Sequence, residues 1–187
     1  MTQTIASDRH ASFAAIANPV ESSRLLKGEI LLQTQPHSTW GGCVTAQMHV
    51  PQSRERVWSE LSNYPRWVDF FPNVTRSEVL SSSRLEKRLL QAASKSFLFL
   101  TVQVEVILRV RELYQMDGVD HIQFRLEEGS FSDFSADLQL VEWQQGTLLS
   151  YTVRATPLIP MPTPFVQQAM RLDLPANMQR MRQVLCS

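Results

Sequence analysis

The sequence predicts a single α+β domain in which a curved antiparallel sheet of about six to seven strands wraps around a long C-terminal helix. Two observations support this fold. Apolar and polar residues alternate with a period of two over about eighty residues, as in strands with one buried and one wet face. A segment after Pro164 then carries apolar residues at helical spacing, and an amphipathic sheet needs such a cover.

Length, charge and cysteine content limit the function classes. The 187 residues suit one domain with its own core, and 18 basic residues balance 18 acidic ones. We therefore predict no nucleic-acid partner and no stable membrane insertion. Cys43 and Cys186 lack the spacing of a disulfide framework or a zinc site, which favours a reducing, cytoplasmic location. The apolar stretch 13–17 is too short for a signal peptide.

The N-terminal part divides into an arm and the start of the sheet. Residues 1–27 contain few large apolar side chains, so we predict a mobile arm there and one domain over residues 28–187. Residues 30–34 have strand-like composition, and residues 44–50 alternate strictly. Pro51 ends this first core strand.

Two short helices are predicted to follow. Ser53 is a favourable N-cap, and Val57 and Leu61 share one face of a helix over residues 54–61. A second, aromatic turn over residues 66–70 ends before Pro72, because a proline excludes the preceding residue from the helical region.

The middle of the chain is predicted to be a meander of antiparallel strands. The clearest strand runs over residues 97–111, with turns at Asp117-Gly118 and Gln145-Gly146. The predicted inward side chains of the strands are apolar: Leu98, Leu100, Val102, Val104, Val106, Leu108, Val110, Ile122, Phe124, Leu126, Phe134, Ala136, Leu138, Leu140, Leu149, Tyr151 and Val153.

The C-terminal segment predicts the covering helix. Thr163 is the predicted N-cap, and Pro164 occupies the first helical position. Pro175 removes a hydrogen bond, so we expect a kink over residues 171–175. The apolar stripe comprises Val166, Met170, Leu174, Met178, Met181 and Leu185.

Several local motifs stand in a fixed order along the chain: Val50-Pro51-Gln52-Ser53 with Val57-Trp58, Leu61-Ser62-Asn63-Tyr64-Pro65, Phe71-Pro72-Asn73-Val74, the segment 124–131 with Phe134, and Leu174-Pro175-Ala176-Asn177-Met178. They resemble the motifs of the START-like, polyketide cyclase/dehydrase superfamily, whose members have the helix-grip fold. The resemblance spans residues 44–184, and the motif sequences are most similar to those of coenzyme-Q-binding-type, cyanobacterial and plastid members. Asn63 stands where those relatives usually have Asp, and Asp137 where they usually have Trp.

The resemblance implies a cavity between the sheet and the terminal helix that receives a hydrophobic small molecule such as a lipid, isoprenoid or quinone. Flexible methionines and aromatic side chains suit the wall of such a cavity. No catalytic residue, metal or cofactor is predicted. The predicted ligand-binding residues are Trp67, Phe70, Phe71, Val102, Val104, Phe124, Leu138, Tyr151, Val153, Phe165 and Met170.

Two alternatives remain open at the level of the sequence. One is a polyketide cyclase or aromatase that uses the same cavity, with Tyr151 or Arg88 as polar guide. The other is a protein-interaction module with a collapsed cavity, which would use the exposed sheet or residues 63–73.

The histidines and the paired acidic residues are predicted to lie on the surface, without a metal-binding or catalytic role. The histidines lack metal-ligand spacing, and the acidic pairs lie on or near polar strand faces. No GxSxG or phosphate-binding glycine loop is present. The residues concerned are His10, His37, His49 and His121, and the pairs Asp133 with Asp137 and Glu127 with Glu128.

Overall fold

The computed structural model describes residues 18–97, 100–158 and 169–187. It contains eight antiparallel strands in one sheet, one more than the upper limit predicted. The strands are β1 (Leu31–Pro36), β2 (Gly42–Val50), β3 (Val74–Ser82), β4 (Lys87–Phe97), β5 (Leu100–Met116), β6 (Val119–Gly129), β7 (Phe131–Trp143) and β8 (Gly146–Pro157). Their spatial order is β1-β2-β8-β7-β6-β5-β4-β3, so β1 and β3 form the edges.

Four α-helices are described. They are α1 (Pro19–Leu26), α2 (Arg54–Leu61), α3 (Trp67–Phe70) and α4 (Leu174–Cys186). A 3₁₀ turn over Tyr64–Arg66 connects α2 to α3. In the described part of the chain, no helix combines the length and hydrophobicity needed to span a bilayer.

Helix α2 and its cap are as predicted. The Arg56 backbone N–H donates to the Ser53 hydroxyl at 3.3 Å, and Val57 and Leu61 are buried. Arg54 fixes this helix to the β5–β6 turn, because its Nη1 donates to the Gly118 carbonyl at 2.8 Å. Its Nε lies 3.2 Å from the buried Asp120 carboxylate.

Helix α4 covers the inner face of the sheet. Its buried side chains are Leu174, Met178, Met181 and Leu185, which is the predicted stripe from residue 174 onward. A π-helical turn, Ala169–Asp173, precedes it and coincides with the predicted kink. Pro175 has no N–H to offer the Arg171 carbonyl, so regular α-helical bonding is interrupted there. The predicted start of this helix, including Thr163, Pro164 and Val166, lies outside the described residues.

The predicted N-terminal arm contains a helix over Pro19–Leu26, whereas the mobility of the arm stays a prediction. Asn18 caps α1 by accepting from the Val20 backbone N–H at 3.0 Å, and Pro19 occupies the first turn. Leu25 is 0 % exposed and packs with Leu148 in a small cluster separate from the main core. Residues 1–17 lie outside the described residues.

The predicted strand over residues 97–111 has a different N-terminal boundary. Phe97 is the last residue of β4 and pairs with Leu100, the first residue of β5. Leu98 and Phe99, which were predicted to belong to this strand, lie outside the described residues.

The β7–β8 turn lies one residue earlier than predicted. Gln144 and Gln145 have positive φ, whereas Gly146 already pairs with Trp143. Gly146 is required by close approach, because a Cβ there would lie 2.4 Å from the Val50 carbonyl oxygen. The predicted Asp117-Gly118 turn is confirmed, with positive φ at both residues.

Candidate functional site

The inner face of the sheet, which faces α4, carries a continuous apolar surface. One row across the sheet joins Ile122, Leu138, Tyr151 and Ala46 through direct strand pairing. All four belong to the main core cluster together with the buried stripe of α4. Two-residue periodicity places these side chains on one face, as the sequence predicts.

An aromatic cluster projects onto this face from the segment after α2. The Trp67 ring centroid lies 5.4 Å from that of Phe71, 5.0 Å from that of Phe124 and 6.4 Å from that of Tyr151. Trp67 Nε1 donates to the Leu61 carbonyl at 2.9 Å, which satisfies its buried polar atom. The short helix α3 thereby fixes one wall of the candidate site.

The structure places the predicted ligand-binding residues in three groups. Phe165 and the side chain of Met170 lie outside the described residues. Three side chains are half-buried: Val102, Val104 and Val153. Six are buried in the main core: Trp67, Phe70, Phe71, Phe124, Leu138 and Tyr151.

Burial changes along the inner face. Toward the β5–β6 turn the inner side chains are fully buried, as Ile122, Leu140 and Leu149 illustrate. Toward the β4–β5 connection the inward side chains are only half-buried, namely Val102, Val104, Leu126, Phe134 and Val153. Tyr151 lies next to this half-buried zone, two residues before Val153. The candidate site is therefore this less filled end of the inner face.

Tyr151 is a polar residue beside the half-buried zone. It is 7 % exposed, and no described residue forms a hydrogen bond with its hydroxyl. Burial raises the pKa of the Tyr151 phenol above its usual range, and the negative charge of Asp137 adds to this effect. The hydroxyl is therefore neutral and can act as a hydrogen-bond donor.

A second polar group on the inner face was missed by sequence reasoning. Glu112 Oε1 accepts from the Tyr64 hydroxyl at 2.6 Å and from Lys87 Nζ at 2.6 Å. Lys87 also lies 5.2 Å from the Tyr64 ring centroid. Glu112 continues the inward register of Val110, which is the signal that could have found it. The three groups satisfy one another, so this cluster stabilises the scaffold.

The expectation that Arg88 could turn inward is wrong. Its side chain makes two hydrogen bonds to Glu127, at 2.9 Å and 2.8 Å. Leu89, its neighbour, is the side chain of β4 that joins the core. The polar-guide role of Arg88 is therefore excluded by its position on the outer face.

Asp137 is not the solvated carboxylate that the sequence predicts. Its side chain is 14 % exposed at the centre of the outer face, 2.8 Å from Arg125, 3.2 Å from His121 and 3.5 Å from Arg154. Burial alone raises the pKa of the Asp137 carboxyl, but hydrogen bonds from His121 and Arg125 outweigh burial, so the net shift is downward. Asp137 of β7 thus forms ion pairs with residues of β6 and β8.

The histidines also differ from the prediction at one position. His37 pairs with Asp133, and His121 with Asp137, whereas His49 is buried at 6 % exposure against Trp143. Burial lowers the pKa of the His49 imidazole, and the nearby charge of Arg182 lowers it further. Among the described residues, no three His, Cys, Asp or Glu side chains are grouped as metal ligands. His10 lies outside the described residues.

Solved structures similar to this fold include lipid-transfer domains and an aromatase/cyclase. The STAR-related lipid transfer protein from Xanthomonas axonopodis is 12 % identical, with a TM-score of 0.64, over 83 % of this chain and 99 % of that chain. Human StAR-related lipid transfer protein 5 is 14 % identical, with a TM-score of 0.63, over 97 % of this chain and 95 % of that chain. The Zhui aromatase/cyclase from Streptomyces sp. R1128 is 13 % identical, with a TM-score of 0.59, over 78 % of this chain and 92 % of that chain. At these identities the likeness concerns the fold.

A comparison with curated proteins gave no significant match. The family model for polyketide cyclase/dehydrase and lipid transport matches residues 50–182, which include both short helices, most of the sheet and most of α4. The START-like, helix-grip resemblance is thus confirmed, whereas the nearness to cyanobacterial and plastid members stays a prediction. The chain belongs to the polyketide cyclase/dehydrase and lipid transport family.

Proposed function

We propose that this protein binds or carries a hydrophobic small molecule, such as a lipid, isoprenoid or quinone, between the inner face of the sheet and the terminal helix. The family supports hydrophobic ligand binding or transport in general. The observation that carries the proposal is the zone of half-buried apolar side chains beside Tyr151, on a face whose other end is fully buried. Apolar surface that the protein itself leaves half-covered is stabilised when an apolar guest covers it.

Binding without catalysis fits the polar groups of this face better than a cyclase reaction does. Acid–base catalysis needs titratable groups within hydrogen-bonding reach of the substrate. On the described inner face, Glu112, Lys87 and Tyr64 bond to one another, which leaves Tyr151 as the hydroxyl beside the candidate site. The aromatase/cyclase fold match keeps the enzyme as the second candidate.

The proposal extends to partners and location. Zero net charge supports the absence of a nucleic-acid partner, and the cysteine usage supports a cytoplasmic location. Neither property is needed for the binding test below.

Val104→Phe tests whether the half-buried zone receives a guest. If the zone is open, the ring has room, and the free energy of unfolding changes by less than about 0.5 kcal/mol. The added phenyl group then removes space for the guest, so the affinity for a pyrene-labelled alkane falls. Urea midpoints and fluorescence titration measure the two quantities.

Glu105→Ala is the matched control, because Glu105 is the next residue of β5 and its side chain is exposed on the other face. It should change neither stability nor probe affinity. A filled core predicts the opposite pattern, in which Val104→Phe overpacks the site and costs about 1–3 kcal/mol. That result, together with a wild type that binds no probe, would favour the protein-interaction module.

A further inference from the structure

We propose that the guest is an uncharged hydrophobe with a carbonyl or hydroxyl oxygen, and that the Tyr151 hydroxyl hydrogen-bonds this oxygen. The inference rests on the proposed function and adds the chemical class of the guest. It follows from three features of the inner face: the fixed position of Tyr151, its unused hydrogen-bonding capacity, and the distribution of charge around it.

The position of Tyr151 is fixed by its neighbours. Its ring lies 6.1 Å from that of Phe71 and 6.4 Å from that of Trp67, centroid to centroid. Its backbone pairs with Leu138 on one side and Ala46 on the other, in the middle of the sheet. A side chain held by two rings and two strands presents its hydroxyl in one place, which reduces the entropy cost of binding.

The hydroxyl of Tyr151 has capacity that the described structure does not use. A hydroxyl on a side chain that is only 7 % exposed normally has a hydrogen-bond partner. Tyr64, a buried tyrosine of the 3₁₀ turn, follows this rule, because its hydroxyl donates to Glu112. An oxygen atom of a guest would satisfy Tyr151 in the same way.

The charges of this face disfavour an anionic guest. Lys87 is engaged by Glu112, and Asp137 on the opposite face of the sheet already exerts a negative potential at Tyr151. Residues 155–157, at the end of β8, contain no ionisable side chain. A carboxylate placed near Tyr151 would therefore be buried without a counter-charge, which is strongly unfavourable.

Lys95 is a second lysine of β4, eight residues after Lys87. Lys95 pairs with Val102 of β5. Glu112, ten residues further along β5, pairs with Ile122 and so lies in the same row of cross-strand partners as Tyr151. Ten residues of strand span about 33 Å. A guest that bonds Tyr151 with its polar end therefore places that end far along the strand from Lys95.

The experiment uses three probes with the same pyrene label and alkyl chain, which end in a methyl group, a methyl ketone or a carboxylate. Dissociation constants are measured by fluorescence for the wild type, Tyr151→Phe and Tyr114→Phe. Tyr114 is exposed, so its variant controls for the loss of a tyrosine hydroxyl in general. Far-UV and near-UV circular dichroism confirm that each variant is folded.

We expect Tyr151→Phe to weaken ketone binding about 5- to 10-fold, the effect of one hydrogen bond, and to leave alkane binding within about twofold. Tyr114→Phe should leave both unchanged. At pH 8 the carboxylate probe should bind wild type at least about 10-fold more weakly than the ketone, and its affinity should rise as the pH approaches the carboxyl pKa.

The outcomes separate this inference from the proposed function. If Tyr151→Phe weakens the alkane and the ketone equally, or if the carboxylate binds most tightly at pH 8, a neutral guest bonded to Tyr151 is ruled out while hydrophobic binding stands. If wild type binds none of the three probes, both proposals fail.

Discussion

Two buried tyrosines, Tyr64 and Tyr151, show how position decides the role of a residue. Tyr64 donates to Glu112 at 2.6 Å and is part of the scaffold. Tyr151 has the same side chain, yet its hydroxyl has no partner among the described residues. The sequence identifies Tyr151 as inward by its register, but it does not say which hydroxyl is already bonded. That distinction is why we propose Tyr151 as the polar contact of a guest.

Asp137→Asn should lower the free energy of unfolding at pH 7 by about 1–3 kcal/mol, because a partly buried carboxylate that accepts charged hydrogen bonds is lost. Asp133→Asn is the control on the same strand, since Asp133 is about half exposed and pairs with His37. It should cost less than about 1 kcal/mol. Equal urea midpoints for wild type and Asp137→Asn at pH 7 would show that the Asp137 ion pairs do not stabilise the sheet.

The pH dependence gives a second readout of the same residue. The pKa of Asp137 is lower in the folded protein than its ordinary value of 3.8, so the folded state binds this proton less readily than the unfolded state does. The stability from Asp137 is therefore fully present above the unfolded pKa and is lost as the pH falls through the folded one. The difference between wild type and Asp137→Asn should shrink as the pH falls from about 5 to about 3.

At the scale of elements, helix α1 shows how little sequence signal a packed helix needs. It has one fully buried side chain, Leu25, which covers Leu148 on the outer face of the sheet. A helix with a single buried side chain shows no clear apolar period, so the sequence resembles an unpacked arm. The contact with β8 is decided only when the sheet has formed.

Leu25→Ala should therefore destabilise the protein by about 2–3 kcal/mol, because it removes a fully buried side chain and leaves a cavity. Leu26→Ala is the matched control, since Leu26 is adjacent and 47 % exposed, and it should change the free energy of unfolding by less than about 0.5 kcal/mol. Urea denaturation compares the two. Similar midpoints for both variants would mean that α1 is not held against the sheet in solution.

The boundary between β4 and β5 illustrates a different limit of sequence-based prediction, which is that periodicity does not show where the chain reverses. Periodicity predicts that Phe97 and Leu100 are in strands, but not that the chain reverses between them. Turns are usually recognised by Gly, Asn, Asp or Pro, and Leu98-Phe99 has none of these. The pairing of β4 with β5 over eleven residue pairs decides this reversal.

At the scale of the whole molecule, charge is dispersed and locally compensated. Examples are Arg24 with Glu29 at 2.7 Å and Arg88 with Glu127 at 2.8 Å. Zero net charge and such local pairing argue against a surface that neutralises several phosphates.

We accordingly expect no salt-sensitive binding to duplex or single-stranded nucleic acid. Fluorescence anisotropy with labelled oligonucleotides at about 50 mM and about 200 mM salt tests this expectation. Micromolar affinity that falls steeply between these two salt concentrations would contradict it.

The sequence by itself determined the class of fold, because two-residue and helical periodicities decide which side chains can share an apolar face. This is why α2, β2, the inward side chains of β6 and β7, and the buried stripe of α4 agree with the prediction. Tertiary structure alone decided the packing of Leu25, the burial of His49, the Tyr64–Glu112–Lys87 cluster and the ion pairs of Asp137. The physical reason is that these contacts join residues on different strands and helices. Their partners are chosen by strand register and helix placement, which no local pattern encodes.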